Sequence, residues 1–424
     1  MKKRFAASAM ILAMSAATVL SPLTTFAEAE EQELNIAIFQ GGYGDAYWNQ
    51  MVELFEASHE GVKVNMTISP TIGDIIRPQI VAGNAPDFIC LNDGAEDGVI
   101  LSLIKEHALL NLDDVFDGEN YAGTGTLRDD ITDGILSSTK CAPYGDDEIY
   151  LAPFNSGPQG LIYNKTFFDE NNLEVPKTWE ELVDQAAADG GVQFDATSIY
   201  YDFGFVRACG GYIFKYQDGA YDTADIGLDN EGSVDAYAFI NDLCNKYKLI
   251  TADVTADIAR SNFQNGKCAY YIGGPWDIDG FTSAETPFGI TEMPTFHGQA
   301  FVTPVGTQVS FVGKDSDKQE PAWSFIKYLI ENGAKDLYEA GDRIPARLSD
   351  QELEEIRENA YAKAFIVQIN QGEPMPTVSE MGQLWSIHVN NIRSMWSGEQ
   401  TPEEAAKNMV AQLEEAVELM NSGK

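Results

Sequence analysis

The chain has 424 residues, with 66 Asp and Glu against 27 Lys and Arg, a formal net charge of −39. That acidic balance excludes nucleic acid as a ligand, because phosphates demand a basic surface. The length suffices for two lobes of ordinary size, and acid pairs such as Asp113-Asp114, Asp129-Asp130 and Glu354-Glu355 read as a solvated surface.

Lys2, Lys3 and Arg4 precede an apolar run from Met10 to Leu20, too short to span a bilayer, and Thr25-Phe26-Ala27 suits a cleavage site. Residues 1–27 are read as a cleavable signal peptide, and the protein as exported, periplasmic or at the cell surface. Pro22 argues against a retained anchor helix, and no cysteine precedes Cys90 to carry a lipid. Leu34, Ile36 and Ile38 start a strand that runs into Gly41-Gly42-Tyr43-Gly44. Asp45 then caps a helix with Trp48, Val52 and Phe55 on one face. Val62, Val64, Met66 and Ile68 alternate with polar residues as a second strand; Ile75 to Ala82 is helical, and Asp87 to Leu91 is a third strand. This alternation predicts an α/β fold, a mostly parallel sheet with helices on both faces. Ligands of such folds sit outside the carboxyl ends of the strands, where Gly41 to Tyr43 and Asn92-Asp93 fall.

Farther on, Thr178 with Glu181, Ser349 with Glu352 and Thr401 with Glu404 have the spacing of capping boxes. Ala405, Met409, Leu413, Ala416 and Met420 give the last helix an apolar stripe. The five cysteines, Cys90, Cys141, Cys209, Cys244 and Cys268, are odd in number and widely spaced; they read as small core residues, not a disulfide framework. His59, His107, His297 and His388 have no metal-site spacing, and no G-x-S-x-G, H-E-x-x-H or G-x-x-x-x-G-K motif points to an enzyme.

The most informative stretch is Phe263 to Asp277. Asn265-Gly266 marks a turn, and Cys268 to Ile272 is a short apolar run that reads as a buried strand. Gly273-Gly274-Pro275 ends it abruptly and presents Trp276 at a strand end, where an indole can lie flat on an apolar ligand face.

This segment resembles the F-x-x-G-x-x-A-x-x-x-x-G-P-W pattern of the maltodextrin-type extracellular solute-binding proteins, the capture subunits of ABC sugar importers. Ala82 to Phe88, Leu161 to Lys165, Pro176 to Glu181, Gly210 to Lys215, Met293 to Phe296 and Gly372 to Pro376 extend the likeness in order. Gly41 to Asp45 and Gln79 to Asn84 look similar to the N-acetylglucosamine/chitobiose-binding subgroup. The resemblance implies the two-lobe periplasmic-binding-protein fold (type II): mixed, mostly parallel sheets flanked by helices, with a ligand cleft between the lobes. Residues 28–154 and 307–344 would form lobe 1, and 155–306 and 345–424 lobe 2, with crossings near Phe154, Gly306 and Ile344.

Pyranose rings expose C–H patches that stack on aromatic faces, and their hydroxyls need planar polar partners. The resemblance places Trp276 and Trp385 as aromatic platforms and Tyr200-Tyr201 as an aromatic pair. Asp93 aligns with a hydroxyl-binding carboxylate, Asn92 is its neighbour, and Tyr43 falls among polar contacts. Asn155 sits at the first crossing, where Gly157 replaces a glutamate of the relatives; Val389 replaces an arginine that follows the second platform. Arg347, beside the third crossing, either reaches a hydroxyl or makes a surface ion pair. The expected protein is a monomer without cofactor or metal that binds a mono- to oligosaccharide, a disaccharide or longer, and meets an ABC permease. Three alternatives stay open. Tyr200-Tyr201 and Tyr270-Tyr271 suit a ferric-iron carrier, the acidity suits a polyamine, and among 66 acids a glycosidase pair is conceivable.

Overall fold

In the computed structural model of the chain, residues 32–40, 44–92, 99–132, 135–136, 148–189, 191–217 and 220–422 are described. The leader 1–27, Tyr43, Asp93 and Cys141 lie outside the described residues.

Twelve strands follow in chain order. They are β1 (Gln32–Phe39), β2 (Val62–Ser69), β3 (Phe88–Asn92), β4 (Ala152–Ser156), β5 (Gly160–Asn164) and β6 (Gly191–Gln193), then β7 (Phe214–Gln217), β8 (Ala220–Ile226), β9 (Cys268–Gly273), β10 (Phe288–Thr291), β11 (Thr307–Phe311) and β12 (Ile344–Pro345). One sheet has the order β12-β4-β11-β3-β1-β2, a second has β10-β5-β9-β6, and β7 pairs with β8 as a hairpin. Each large sheet is the centre of one lobe. The chain leaves the first sheet after Ser156, returns at Thr307, and leaves again after Pro345. It then forms the helix Ala360–Gln371, which packs on β10.

The sheets are mixed, but less parallel than the strand–helix alternation predicts. Pairing is parallel between β1 and both its neighbours and between β6 and β9. The ladders β3–β11, β11–β4, β4–β12, β10–β5 and β5–β9 are antiparallel. The cause is connectivity. β11 enters the first sheet coming back from the second lobe, and therefore runs against β3 and β4.

The apolar periodicities go where they point. Trp48, Phe55, Phe88 and Phe154 are buried around the first sheet, and Trp179, Phe194, Phe205 and Phe263 around the second. Each such side chain contributes about 1.5–3 kcal/mol when fully buried. β9 is buried along its whole length, as its unbroken apolar run requires.

The Thr401 box is reciprocal: the Glu404 amide donates to the Thr401 hydroxyl (3.2 Å), and the Thr401 amide donates to the Glu404 carboxylate (2.8 Å). At Thr178 the Glu181 amide bonds the threonine hydroxyl, while the Glu181 carboxylate accepts from Lys177, one residue earlier than expected. Ser349 does not cap. It lies inside the short helix Leu348–Gln351, and its amide and hydroxyl both donate to Asp130 (2.9 and 2.6 Å). In the last helix, Pro402–Ser422, Val410 and Val417 join the buried stripe, while Ala416 and Met420 are half-buried. Among the described residues Cys90, Cys209, Cys244 and Cys268 are free thiols, and burial pushes those of Cys90 and Cys268 up to about 12.

Candidate ligand-binding site

Trp276 sits in a three-residue 3-10 turn, Pro275–Asp277, directly after β9. The two glycines before it are there for room. A Cβ on Gly274 would stand 2.3 Å from the Trp276 ring, and one on Gly273 would stand 2.3 Å from the Asp277 carboxylate. The backbone of Gly274, at φ −141°, is open to any residue. The indole therefore lies folded back over the Gly274 backbone and remains half-buried.

Asp277, the next residue, is 1 % exposed. It accepts from Arg260 Nε at 2.6 Å, from the Tyr271 hydroxyl at 3.1 Å and from the Gly274 amide at 3.3 Å. Burial lifts its carboxyl above the usual range, and these three donors pull against that lift.

The first and second crossings run beside this turn. The Gly157 amide donates to the Gly306 carbonyl (2.9 Å), as does the Ser156 hydroxyl (3.1 Å). A Cβ on Gly157 would reach within 3.1 Å of the Trp276 ring, so a glycine at this position leaves space for the indole. Tyr200 closes the other side. Its ring centre is 6.3 Å from that of Trp276, and its hydroxyl donates to the Gly157 carbonyl (3.3 Å). Gln159 Nε2 donates to the Tyr200 carbonyl (2.6 Å), tying the crossing to the helix Ile199–Ala208. Tyr201 packs edge-on against Tyr200 at 5.3 Å. Burial and the nearby Asp277 push its phenol well above the ordinary value. Both tyrosines stand at the start of this helix, where adjacent side chains diverge by about 100° instead of pointing to opposite faces as on a strand.

Arg343 adds a contact that the sequence reading missed. Its guanidinium carbon lies 5.8 Å from the centre of the Trp276 ring, within cation–π range. The available signal was its position beside Ile344, the expected third crossing.

Asn92 and Asn155 are brought to one row of the first sheet: both pair with Gln308 of β11, Asn92 from β3 and Asn155 from β4. Asn92 is exposed and Asn155 is 4 % exposed. Arg347 goes elsewhere. Its Nε bonds Asp130 at 2.8 Å, one terminal nitrogen donates to the Glu331 carbonyl at 3.1 Å, and Asp350 is 3.8 Å away. The expected ion pair is there, but not at the open surface: Arg347 is buried and Asp130 half-buried.

Trp385 is half-buried on the helix Met381–Trp396. One turn on, His388 fixes that helix to the start of the tyrosine helix. Its Nδ1 lies 2.9 Å from the Thr197 carbonyl, which only accepts, so Nδ1 carries the proton. Its Nε2 is 3.6 Å from Asp202, and both side chains are fully buried. Burial pulls the ring down to about 4, so His388 is neutral at pH 7, while burial and Asp195 push the Asp202 carboxyl well above its ordinary value, towards its protonated form.

Residues 41–336 match the bacterial extracellular solute-binding protein family. The chain is 29% identical over 391 residues to the galactooligosaccharide-binding protein of Bacillus subtilis (strain 168), covering 88% of this chain and 87% of that relative. It is 24% identical over 429 residues to a maltooligosaccharide ABC transporter solute-binding lipoprotein of Streptococcus pneumoniae (strain ATCC BAA-255 / R6), covering 97% and 95%. Among solved structures, the maltose-maltodextrin binding protein of Alicyclobacillus acidocaldarius superposes with a TM-score of 0.77 at 25% identity, over 90% of this chain and 100% of that one. Two sheets, three crossings and an aromatic turn beside them therefore have their explanation in descent: the chain belongs to the bacterial extracellular solute-binding proteins.

Proposed function

We propose that this protein captures an oligosaccharide in the cleft between its lobes and delivers it to the transmembrane permease of an ABC importer. The observation that carries this reading is the half-buried Trp276, set beside the lobe crossings with Tyr200 and Arg343 around its ring. An indole and a phenol offer flat faces to the C–H patches of a pyranose, and amides such as Asn92, with Asp93 beyond it, suit hydroxyls. The relatives' sugars, galactooligosaccharide and maltooligosaccharide, are both chains of hexoses, which fits a site of ring platforms.

The lobes divide close to residues 28–154 with 307–344 and residues 155–306 with 345–424, except that residues 345–357 stay with the first lobe, where Arg347 and Ser349 bond Asp130 and Glu355 pairs with Lys335. Trp385 completes the platform from the second lobe. Residues 1–27 direct export and are cleaved off in its course, and no described helix is long and apolar enough to cross a membrane. The family and its relatives are binding proteins, and we read this chain as one that does not cleave what it holds. An iron-binding role fits poorly with Tyr270 and Tyr271. Both are buried, and their hydroxyls donate to Gln185 and Asp277.

A thermal-shift screen with maltotriose, galactobiose and diacetylchitobiose tests the reading. A ligand at a hundred times its Kd stabilises the fold by about 2.7 kcal/mol, a clear rise in Tm. No shift and no calorimetric heat from any of the three would overturn the carbohydrate assignment. Release of monosaccharide during incubation would overturn the non-catalytic one.

A further inference from the structure

Resting on that carrier reading, we propose that Asp277 is the positioning residue of the site: its buried carboxylate holds the Trp276 indole at the angle that meets the sugar. The turn that carries Trp276 is three residues long. Within it, the Asp277 amide donates to the Gly274 carbonyl at 3.1 Å. Turns this short do not hold their own shape, because so few internal bonds offset the fixing of several dihedrals. The turn runs directly into the helix Ile278–Ser283, and the Asp277 carboxylate ties its start to neighbouring elements.

Each donor to that carboxylate comes from a different element. Arg260 reaches it from the helix Ala256–Gln264, Tyr271 from β9, and Gly274 from the turn itself. Arg260 is in turn braced by Asp257 at 3.1 Å. The indole cannot shift independently of this anchor, since it lies against the Gly274 backbone that the carboxylate fixes. An ion pair with a buried acid is a poor way to gain stability, because desolvation of the Asp277 carboxylate offsets its attraction to the half-exposed Arg260, whereas an apolar pair of similar volume packs without that loss. Its use directly behind the aromatic platform, with a 1 % exposed acid adjacent in sequence to the indole, assigns it to placement of the ring.

The test is a double-mutant cycle read by calorimetry with maltotriose and galactobiose, on the full chain, with a melting curve for every variant. W276A is expected to weaken the sugar that binds by about tenfold, and D277N by about tenfold. If Asp277 acts through the indole, the double variant binds no more weakly than W276A alone. Losses that multiply in full, or wild-type affinity in D277N, would overturn the positioning role. Should D277N not fold, Y271F removes one donor and leaves the Arg260 pair intact. The same cycle then applies, with an expected loss of about threefold that vanishes in the W276A background. A wild-type chain that folds and binds none of maltotriose, galactobiose and diacetylchitobiose defeats the carrier reading itself, and the positioning role with it.

Discussion

One methyl group separates a working platform from a blocked one. A Cβ at position 274 would overlap the Trp276 ring at 2.3 Å, and Gly157 and Arg343 also lie close to that ring and limit where it can move. Gly274→Ala should therefore weaken sugar binding by tenfold or more, about 1.4 kcal/mol. Gly298 provides the contrast. It sits at φ +74° in the His297-Gly298 turn, with nothing near its Cα. There alanine is strained by backbone conformation alone. Gly298→Ala should lower Tm by a few degrees and leave affinity unchanged, so melting and calorimetry on the two variants separate a glycine kept for space from one kept for dihedral freedom. Equal binding losses in both would mean that the indole does not rest on Gly274. The run Gly273-Gly274-Pro275-Trp276 was legible as a strand end that presents an indole, because the break in an apolar strand is local information. The reason for the glycines was not, because it depends on where a ring folds back. Arg260 was equally hidden: it stands 17 residues from Asp277, and only the packing of its helix on β9 brings them together.

The helices that carry the tyrosine pair and Trp385 meet through Asp202 and His388, both deeply buried. With its ring held down to about 4, His388 refuses the proton that an unfolded chain, at 6.5, accepts. Between those values the unfolded state binds more protons, so stability falls as the pH drops from about 6.5 towards about 4, by up to about 3 kcal/mol from this residue. Asp202 works in the opposite sense, holding its proton as pH rises. Nitrogen NMR of the histidine rings should find His388 as the Nδ1–H tautomer, silent from pH 8 until the pH nears 4. An imidazole that titrates near 6.5 would show that water reaches the pair. Nothing in the sequence announces this contact, since His388 and Thr197 are 191 residues apart. Elements themselves were legible: β1, β3 and β9 have the period or the unbroken apolar run that their burial demands, and the Thr401 box closes as its spacing requires. Strand direction was not, because an apolar run reads the same whether the chain enters a sheet from one end or the other.

Taken whole, the molecule is two sheets joined at three crossings, and a ligand held by both lobes should draw them together. Small-angle scattering should record a fall in radius of gyration on the order of 1 Å when the binding sugar is added. An unchanged profile at saturation would mean that the lobes do not close on it. The two-lobe plan was legible through the order and spacing of many weak motifs, while the specificity of the site was not, since it depends on which side chains the crossings bring face to face. The crossings also bear on the time at which the protein can exist. Ser156 and Gly306 share a hydrogen bond but lie 150 residues apart in the chain, and β11, the strand between β3 and β4, begins only at Thr307. At about 5–20 residues per second, a ribosome needs about 8–30 s to travel that distance. Throughout that interval the first sheet lacks its middle strand and the nascent polypeptide stays unfinished. A chain that cannot complete itself until it is nearly full length is one that a translocation channel, which accepts only unfolded protein, still has time to take.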